Sequence, residues 1–504
     1  MNESTDVLVV GAGPAGLALA CGLLLHGVRV RVVDQAAGPA TTSRANLLHA
    51  RGVEVLDRLG ALGDLPERSA QGLVLTTYIG GRPVMRIRFG DPILGTPRPA
   101  LVLPQTEIEA ALRRRFAELG GGVEWGTGLV DARQDGDGVT AVLGGGRTVR
   151  ASWLAGCDGA HSTVRKLAGI GFPGAPLTDQ WLLADGHAGF GLGREGGHGW
   201  AHPDGPLFVM PMPSPGGTGD DLWRLMAYLP GATDEKLDEA EILEAFRRVV
   251  GERAGLAGEQ LKDLVWASMF RVHRRLATGY RQGRVLLAGD AAHIHSPMGG
   301  QGMVTGMGDA ENLAWKLALV VHGRAGHRLL DTYQAERRPL AAEVLRSTSA
   351  TARLQIGDSP LLRLLIRWVL VPLFNRPAVQ RRGTMAASQL GVTYRRGPLA
   401  GRGSRLGRRP RPGDRVADLA CAGTRLHAEL GGRWALLATG PGARLCEPQV
   451  SAALGDRVVT LTPDGWRDDE VWLVRPDAHL AWRGRPGSDG LGRWLRRASI
   501  HPEP

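Results

Sequence analysis

Three stretches of this 504-residue chain place glycine and a carboxylate where an apolar run ends. Gly11-Ala12-Gly13-Pro14-Ala15-Gly16 follows the run Val7–Val10, and Asp34 closes a second run, Val28–Val33, eighteen positions after the last of these glycines. Gly156-Cys157-Asp158-Gly159 ends the run that begins at Trp153. Gly289-Asp290 ends Val285–Ala288, and Pro297, Gly299, Gly300, Gly302, Gly306 and Gly308 punctuate the chain beyond it before a helical pattern sets in. Glycine lets backbone approach a pyrophosphate, the N-terminus of the next helix faces its charge, and a carboxylate accepts hydrogen bonds from sugar hydroxyls. The first stretch is the most specific, because strand, glycine turn, helix, second strand and acid stand in the order a dinucleotide site needs. There Gly11 permits the tight turn, Gly13 admits the pyrophosphate and Gly16 lets helix and strand come close. Asp34 favours an adenosine whose 2′-hydroxyl is free. The third stretch alone could be an ordinary strand–helix connection; the N-terminal signal argues against that.

An open α/β sheet gathers ligands beyond the carboxyl ends of its strands, so one dinucleotide touching all three turns predicts a Rossmann-like domain built from 1–172 and 271–330. Residues 173–270, with part of 73–100, read instead as short alternating β-runs such as Leu207–Met212 and Leu222–Leu229. Helix signal there is confined to Glu239–Val250 and a weaker stretch near Leu256–Leu264. That pattern predicts an inserted β-sheet forming the far wall of a cavity. Met210, Met212, Trp223 and Met226 are its candidate pocket residues, although each residue type is more often plain core. Leu73–Phe89 reads as a hairpin around Gly80-Gly81. A helix is expected over Thr106–Leu119, capped by Thr106 with Glu109 three residues on. Asp331–Val344 opens a helical segment reaching to 400, with Tyr333, Ala335 and Arg337 toward the preceding domain. Arg402–Pro412 reads as a linker, and 413–504 as a small α/β domain without a catalytic constellation.

The net charge is +11 and the isoelectric point near 10.2, which ordinarily raises nucleic acid as a partner. Here the excess is arginine spread along the whole chain, so nucleic-acid binding is not expected. Cys21, Cys157, Cys421 and Cys446 show neither CxxC nor metal-ligand spacing; they read as buried thiols of a reducing compartment, with no metal. The polar opening MNESTD is no signal peptide. Leu361–Phe374 is apolar but too short to span a bilayer and carries Arg363 and Arg367. These features predict a cytoplasmic protein without stable membrane insertion.

Taken together, GAGPAG with Asp34, the segment Gly156–Arg165 and the segment Gly283–Ala318 resemble the group A flavoprotein aromatic monooxygenases of the para-hydroxybenzoate hydroxylase fold, over about residues 5–400. Arg411-Pro412-Gly413-Asp414-Arg415 and Leu473-Val474-Arg475-Pro476-Asp477 resemble the thioredoxin-like tail of the phenol hydroxylase branch, which aromatic polyketide hydroxylases also carry. The resemblance implies FAD as cofactor, NAD(P)H as co-substrate with NADPH favoured, and O₂. It implies hydroxylation of a small-molecule polycyclic aromatic, of the polyketide kind, through a flavin hydroperoxide, by a monomer or homodimer. Baeyer–Villiger insertion, antibiotic-inactivating hydroxylation and a flavin reductase that uses no O₂ are the alternatives.

Carried onto this sequence, Gly11, Gly13, Ala15 and Gly16 would hold the FAD pyrophosphate, and Asp34 with Gln35 would stand at the adenosine ribose. Arg44 and Gln105 would reach the pyrophosphate and ribityl region, and Leu129 the adenine. Asp158 would serve both FAD and the nicotinamide. Asp290 would bind the ribityl or pyrophosphate part, and Pro297, Gly300, Gly302, Met303 and Val304, through backbone amides from Met298 onward, would face the flavin ring. Val304 and Gly308 depart from the family, which often has Asn and Gln there. No counterpart of the phenol hydroxylases' Asp/Arg/Tyr set is evident. Asn46, His49 and His295 are candidates at the pocket edge, with a structural or surface role the plainer reading of each.

Overall fold

Val7–Val10 is uniformly aliphatic because the strand that contains it, Glu3–Val10, sits inside a parallel sheet with both faces covered. The computed structural model describes residues 3–42, 45–69, 74–88, 99–213, 221–230, 237–295, 299–356, 371–400 and 410–500. Glu3–Val10 pairs in parallel with Val30–Val33 on one side and Thr148–Gly156 on the other, and the latter pairs in parallel with Val285–Leu287. The carboxyl ends of three of these strands are therefore neighbours, and Gly11, Cys157-Asp158 and Gly289 share one edge. Two apolar helices, Pro14–Leu25 and Gly302–Val321, pack on each other over this sheet.

A second, eight-stranded sheet is built around the long antiparallel pair Gly174–Ala188 and Leu261–Leu276. Leu222–Leu229, Leu207–Pro211 and Gly196–Ala201 extend it outward, and the hairpin Val74–Ile79/Arg82–Arg88 forms its edge, turning on Gly80 and Gly81 at φ +57° and +73°. One face of the sheet lies on the helix Glu239–Ala254, burying Leu182, Ala184, Val209, Leu225 and Ala227 against Ile242, Phe246 and Val250. That helix starts in a capping box between Asp238 and Glu241 and ends at Gly255 in the left-handed region.

Two expectations about local structure need correction. The stretch 256–264 is not a helix. After Gly255 the chain makes one tight turn, Gly258–Gln260, and enters the strand at Leu261. The helix expected from Thr106 starts at Gln105, with Pro104 in the cap position and no side-chain cap. Glu109 instead accepts from Gln105 Nε2 at 2.7 Å.

The C-terminal sheet runs Val458–Leu461, Trp434–Leu437, Val471–Val474, Leu480–Gly484, its first pair parallel and the others antiparallel, with helices Gly440–Leu454 and Gly490–Arg497. This βαβ–ββα order is thioredoxin-like. Arg475-Pro476-Asp477 leave its third strand and reach between Gly302–Val321 and the helix Asp331–Ile356. There Arg475 donates to both Glu336 oxygens at 2.9 and 3.1 Å, and Lys316 Nζ donates to Glu336 at 2.8 Å. Asp477 accepts from Arg475 Nε at 2.9 Å and from Asn312 and Trp315 at 3.3 Å each. These four charged side chains are at most 2% exposed.

All four cysteines are free, and no group of residues among those described has a metal-binding arrangement. Among the described residues no helix is long and apolar enough to cross a membrane. Most of Leu361–Phe374, and 402–409 of the expected linker, lie outside the described residues.

Candidate cofactor site

The three glycines of the first turn have separate duties. Gly11 has φ +104°, and a Cβ on it would stand 2.4 Å from the Cys157 carbonyl oxygen. One on Gly16 would stand 1.9 Å from the Gly11 oxygen, so both positions are closed by backbone. A Cβ on Gly13 would meet nothing within 4 Å. Gly13 therefore faces open space at the start of a twelve-residue helix whose first turn has neither an acidic residue nor a side-chain cap. A pyrophosphate fits that cradle.

Asp34 is fixed by the same turn: its Oδ2 accepts from Ala12 N at 2.7 Å and its Oδ1 from Ala36 N at 2.8 Å. A carboxylate has further lone pairs, so sugar hydroxyls can still donate to it. Gln35 is exposed beside it and packs near Gly128, the neighbour of buried Leu129. Thr127 N donates to the Asp34 carbonyl at 2.7 Å, which brings these residues together.

The other two acids differ in their commitments. Asp158 accepts from Ser162 Oγ at 2.5 Å and Val164 N at 3.0 Å, holding the start of the helix Thr163–Leu167. Asp290 is exposed and has no hydrogen-bond partner among the described residues. Its neighbour Gly289, at φ +62°, lies so close to the first turn that an added Cβ would be 2.9 Å from Ala15 Cβ. A Cβ on Gly306 would be 3.1 Å from Gly289 Cα and 3.4 Å from Ala15 Cβ. Small residues from the first and third stretches thus meet at one point.

Gly300, at φ +61°, lies in the approach to the helix Gly302–Val321, and Gly302, Met303 and Val304 form its first turn, again with no acidic residue and no side-chain cap. His49 Nε2 donates to the Gly299 carbonyl at 2.6 Å, and burial lowers the imidazole's pKa, so it stays neutral. Its visible task is to fasten the backbone before the helix. His295 stacks on His293 with ring centroids 6.4 Å apart and lies beside Gly302. Gln105 has its N–H on the Ala45 carbonyl at 3.0 Å and its side chain on Glu109. Arg44, Pro297 and Met298 fall outside the described residues.

The two family departures have different surroundings. Val304 is buried against Gly52. A Cβ on Gly308 would be 2.9 Å from Arg337 Nη2, so glycine makes room for a guanidinium. Arg337 and Tyr333 share one face of their helix, and Tyr333 Oη donates to Leu287 O at 2.7 Å; Ala335, two positions from each, is exposed rather than turned inward.

On the inserted sheet, strand parity divides the four pocket candidates. Met210 pairs with Arg224 and Phe208 with Met226, on the face away from the helix Glu239–Ala254. Met226 joins Trp181, Phe208, Tyr228 and Phe270 there. Trp223 is turned the other way with Leu225 and Ala227, 2% exposed, its Nε1 donating to Ala188 O at 3.1 Å. It is core, not pocket. Asn46 reaches across from the nucleotide domain, Nδ2 lying 3.7 Å from Met210 Sδ and 3.5 Å from Met212 Sδ. Sequence reasoning missed the row beside Met210, in which Arg224 makes a two-pronged 2.7 Å pair with Asp185, and Trp266 Nε1 donates to Asp185 at 2.7 Å. A lone arginine in the otherwise apolar run Leu222–Leu229 was the available signal.

The parallel sheet, the open glycine cradle and the acids at its carboxyl edge define a dinucleotide-binding flavoprotein fold. The chain belongs to the FAD binding domain family, whose model matches residues 4–348, and is an FAD-dependent group A aromatic monooxygenase. It is 36% identical to 6-methylpretetramide 4-monooxygenase of Streptomyces rimosus over 99% of this chain and 95% of that one. It is 35% identical to rifampicin monooxygenase of Streptomyces venezuelae over 97% of each. Among solved structures, the OxyS anhydrotetracycline hydroxylase from Streptomyces rimosus superposes with a TM-score of 0.80 at 35% identity, covering 99% of this chain and 100% of that one.

Proposed function

We propose that this monooxygenase hydroxylates a polycyclic aromatic of the polyketide kind with electrons from NAD(P)H, NADPH being favoured. The reading is supported by the far wall expected of the inserted sheet, where half-buried Met210 and buried Met212 place adaptable thioethers against the Asn46 amide. Such a wall suits a broad fused-ring system with a polar edge. The names of similar proteins, one for 6-methylpretetramide and another for anhydrotetracycline, support the same substrate class.

In this reading Gly11, Gly13, Ala15 and Gly16 hold the FAD pyrophosphate, Asp34 and Gln35 the ribose, and Leu129 the adenine. Asp290, with no protein partner among the described residues, takes ribityl or pyrophosphate hydroxyls and oxygens together with Arg44 and Gln105. Asp158 serves FAD and nicotinamide. Amides at Gly300, Gly302, Met303 and Val304, following Pro297, face the ring, where a helix N-terminus favours negative charge. Bound FAD supplies hydride acceptance from the nicotinamide and activation of O₂, one oxygen atom entering the substrate and the other leaving as water. The chain's part is to orient the substrate and exclude water. No dedicated general base is assigned, since His49 serves through Nε2 to fasten Gly299, so ionisation rests on the acidity of the substrate's own phenols.

We divide the chain into 1–172 with 271–330, the insert 173–270 together with part of 73–100, whose last strand runs on to Leu276, the helical 331–400 and the C-terminal 413–504. We place the enzyme in the cytoplasm, as monomer or homodimer; four free thiols suit that compartment.

Oxygen uptake with NADPH, with and without an added polyphenol, tests the proposal. Substrate-stimulated uptake coupled to a hydroxylated product is expected; substrate reduction without oxygen consumption refutes it. The similarity to a rifampicin monooxygenase favours a second reading, oxygenation of a finished antibiotic. A rise in drug resistance on expression in a sensitive host would select it.

A further inference from the structure

Among the three strand-end acids Asp290 alone is exposed without a protein partner among the described residues, so its aim is set by its backbone. That backbone is held from one point. Asp309 lies in the middle of the helix Gly302–Val321 and is 0% exposed. Its Oδ2 accepts from Gly289 N at 3.2 Å and from His293 Nε2 at 2.7 Å, so a single oxygen grips both ends of the turn that carries Asp290. Because a carboxylate only accepts, His293 must carry its proton on Nε2. The other oxygen, Oδ1, accepts from Arg337 Nε at 2.7 Å, and Arg337 Nη2 donates back to the helix at Thr305 O, 2.8 Å away. Burial alone would raise the carboxyl pKa, yet Arg337 and His293 keep it below the ordinary value.

We propose that Asp309 is a positioning residue of the cofactor site, holding the Gly289–His293 turn at a fixed distance from the first turn of its own helix. Two groups assigned to opposite parts of the cofactor, the Asp290 carboxylate and the amides of Gly302–Val304, are thereby tied to one rigid element. The glycine at 308 belongs to this device, since any side chain there would displace Arg337. The inference rests on the FAD assignment of these residues.

An amide cannot replace the clamp. Asp309→Asn turns an NH₂ donor toward either the Gly289/His293 pair or Arg337, all of them donors. His293→Gln keeps an N–H donor for Oδ2, and His293→Ala removes it. Full-length holoenzymes are compared by fluorescence-detected FAD release on dilution, alongside NADPH oxidised per product formed. Asp309→Asn should lose FAD affinity about ten- to a hundred-fold, the loss typical when a group that orients a ligating residue is removed. It should also waste NADPH, because a mobile flavin loses its water-excluding setting. His293→Gln should stay near wild type while His293→Ala falls with Asp309→Asn. Phe246→Ala, which opens the separate core of the inserted sheet, should lower stability and leave FAD affinity alone. Unchanged affinity in Asp309→Asn, equal losses in the two His293 variants, or an equal loss in Phe246→Ala each overturns the proposal. Should Asp309→Asn not fold, the His293 pair decides it. A wild-type protein that carries no FAD would instead refute the cofactor assignment itself.

Discussion

Arg475→Met should destabilise the protein by about 3–5 kcal/mol, the usual result of leaving a buried charge without its partner. The buried cluster holds two cations, Arg475 and Lys316, and two anions, Glu336 and Asp477. Removing Arg475 leaves one negative charge in excess. Glu336 keeps Lys316 at 2.8 Å, but Asp477 retains Asn312, Trp315 and the His479 amide, each at 3.3 Å, and the His479 imidazole at 3.4 Å. The cost therefore falls mainly on Asp477. Adding Asp477→Asn removes the excess charge and leaves the neutral pair Lys316–Glu336, so the double variant should recover a substantial part of the single variant's loss. Urea denaturation of the holoenzymes, followed by tryptophan fluorescence, reads both, because Trp315 and Trp434 meet edge to face 5.1 Å apart at this interface. Burial raises the Glu336 carboxyl, but Arg475 and Lys316 outweigh it and bring the pKa down to about 2. Its stabilisation is thus fully present above the unfolded value of about 4.3 and is lost only as pH falls through about 2. The Arg475→Met deficit should accordingly be constant from pH 5 to 7, below the value of about 8 to which burial brings the Lys316 ammonium. A single variant within 1 kcal/mol of wild type, or a double variant as unstable as the sum of its parts, refutes the reasoning.

Burial holds His26 at a pKa of about 3, so it stays neutral when the unfolded chain protonates near pH 6.5. Stability should fall by about 2 kcal/mol for this group between pH 7.5 and pH 5, with buried His427 adding in the same direction. Urea midpoints at the two pH values check it, and a flat profile contradicts it. Gly13→Ala should fold normally yet lose FAD affinity, because its Cβ enters open space, whereas Gly16→Ala should fail to fold, its Cβ meeting the Gly11 oxygen at 1.9 Å. Soluble yield and flavin content separate the two. Gly308→Gln, the family's common residue, should cost about 1–3 kcal/mol by overpacking against Arg337, 2.9 Å from the new Cβ, and should reduce flavin content with it. Trp223→Phe should lower stability and leave product identity unchanged, while Met210→Ala should alter substrate KM or regiochemistry at full flavin occupancy.

Legible in the sequence is what the chain does locally. Strand, glycine turn and helix are adjacent in sequence, so Gly11, Gly13 and Gly16 can be given separate duties from their order alone. The Gly80-Gly81 hairpin is of the same kind. Parity was not legible. Within Leu222–Leu229 nothing but the position of the helix Glu239–Ala254 decides that Trp223 turns to the core and Met226 away from it. Nor was the absence of the Thr106 cap, because Glu109 had a competing donor in Gln105 that only the fold placed within 2.7 Å. The buried charges were hidden for a third reason. Arg337 lies outside the stretch that holds His293 and Asp309, Arg475 is far along the chain from Glu336, and in an arginine-rich sequence no single arginine stands out.

Those hidden charges explain why one helix carries so many exacting residues. In the proposed placement Gly302–Val321 offers its first turn to the cofactor; it holds the Asp290 turn through Asp309 and docks the C-terminal unit through Asn312 and Trp315, with Lys316 joined to that unit through Glu336. A helix is stiff over these few turns, so a shift imposed at one station is felt at the others. The second fastening comes through His49 and Arg51. His49 holds the Gly299 carbonyl, and Arg51, two residues on, donates to the Asp477 carbonyl at 2.7 Å and to Glu311 at 3.1 Å. The thioredoxin-like unit therefore braces both elements that flank the expected flavin ring. Arg475 and Asp477 hold that frame, so their loss should appear first as instability of the whole enzyme.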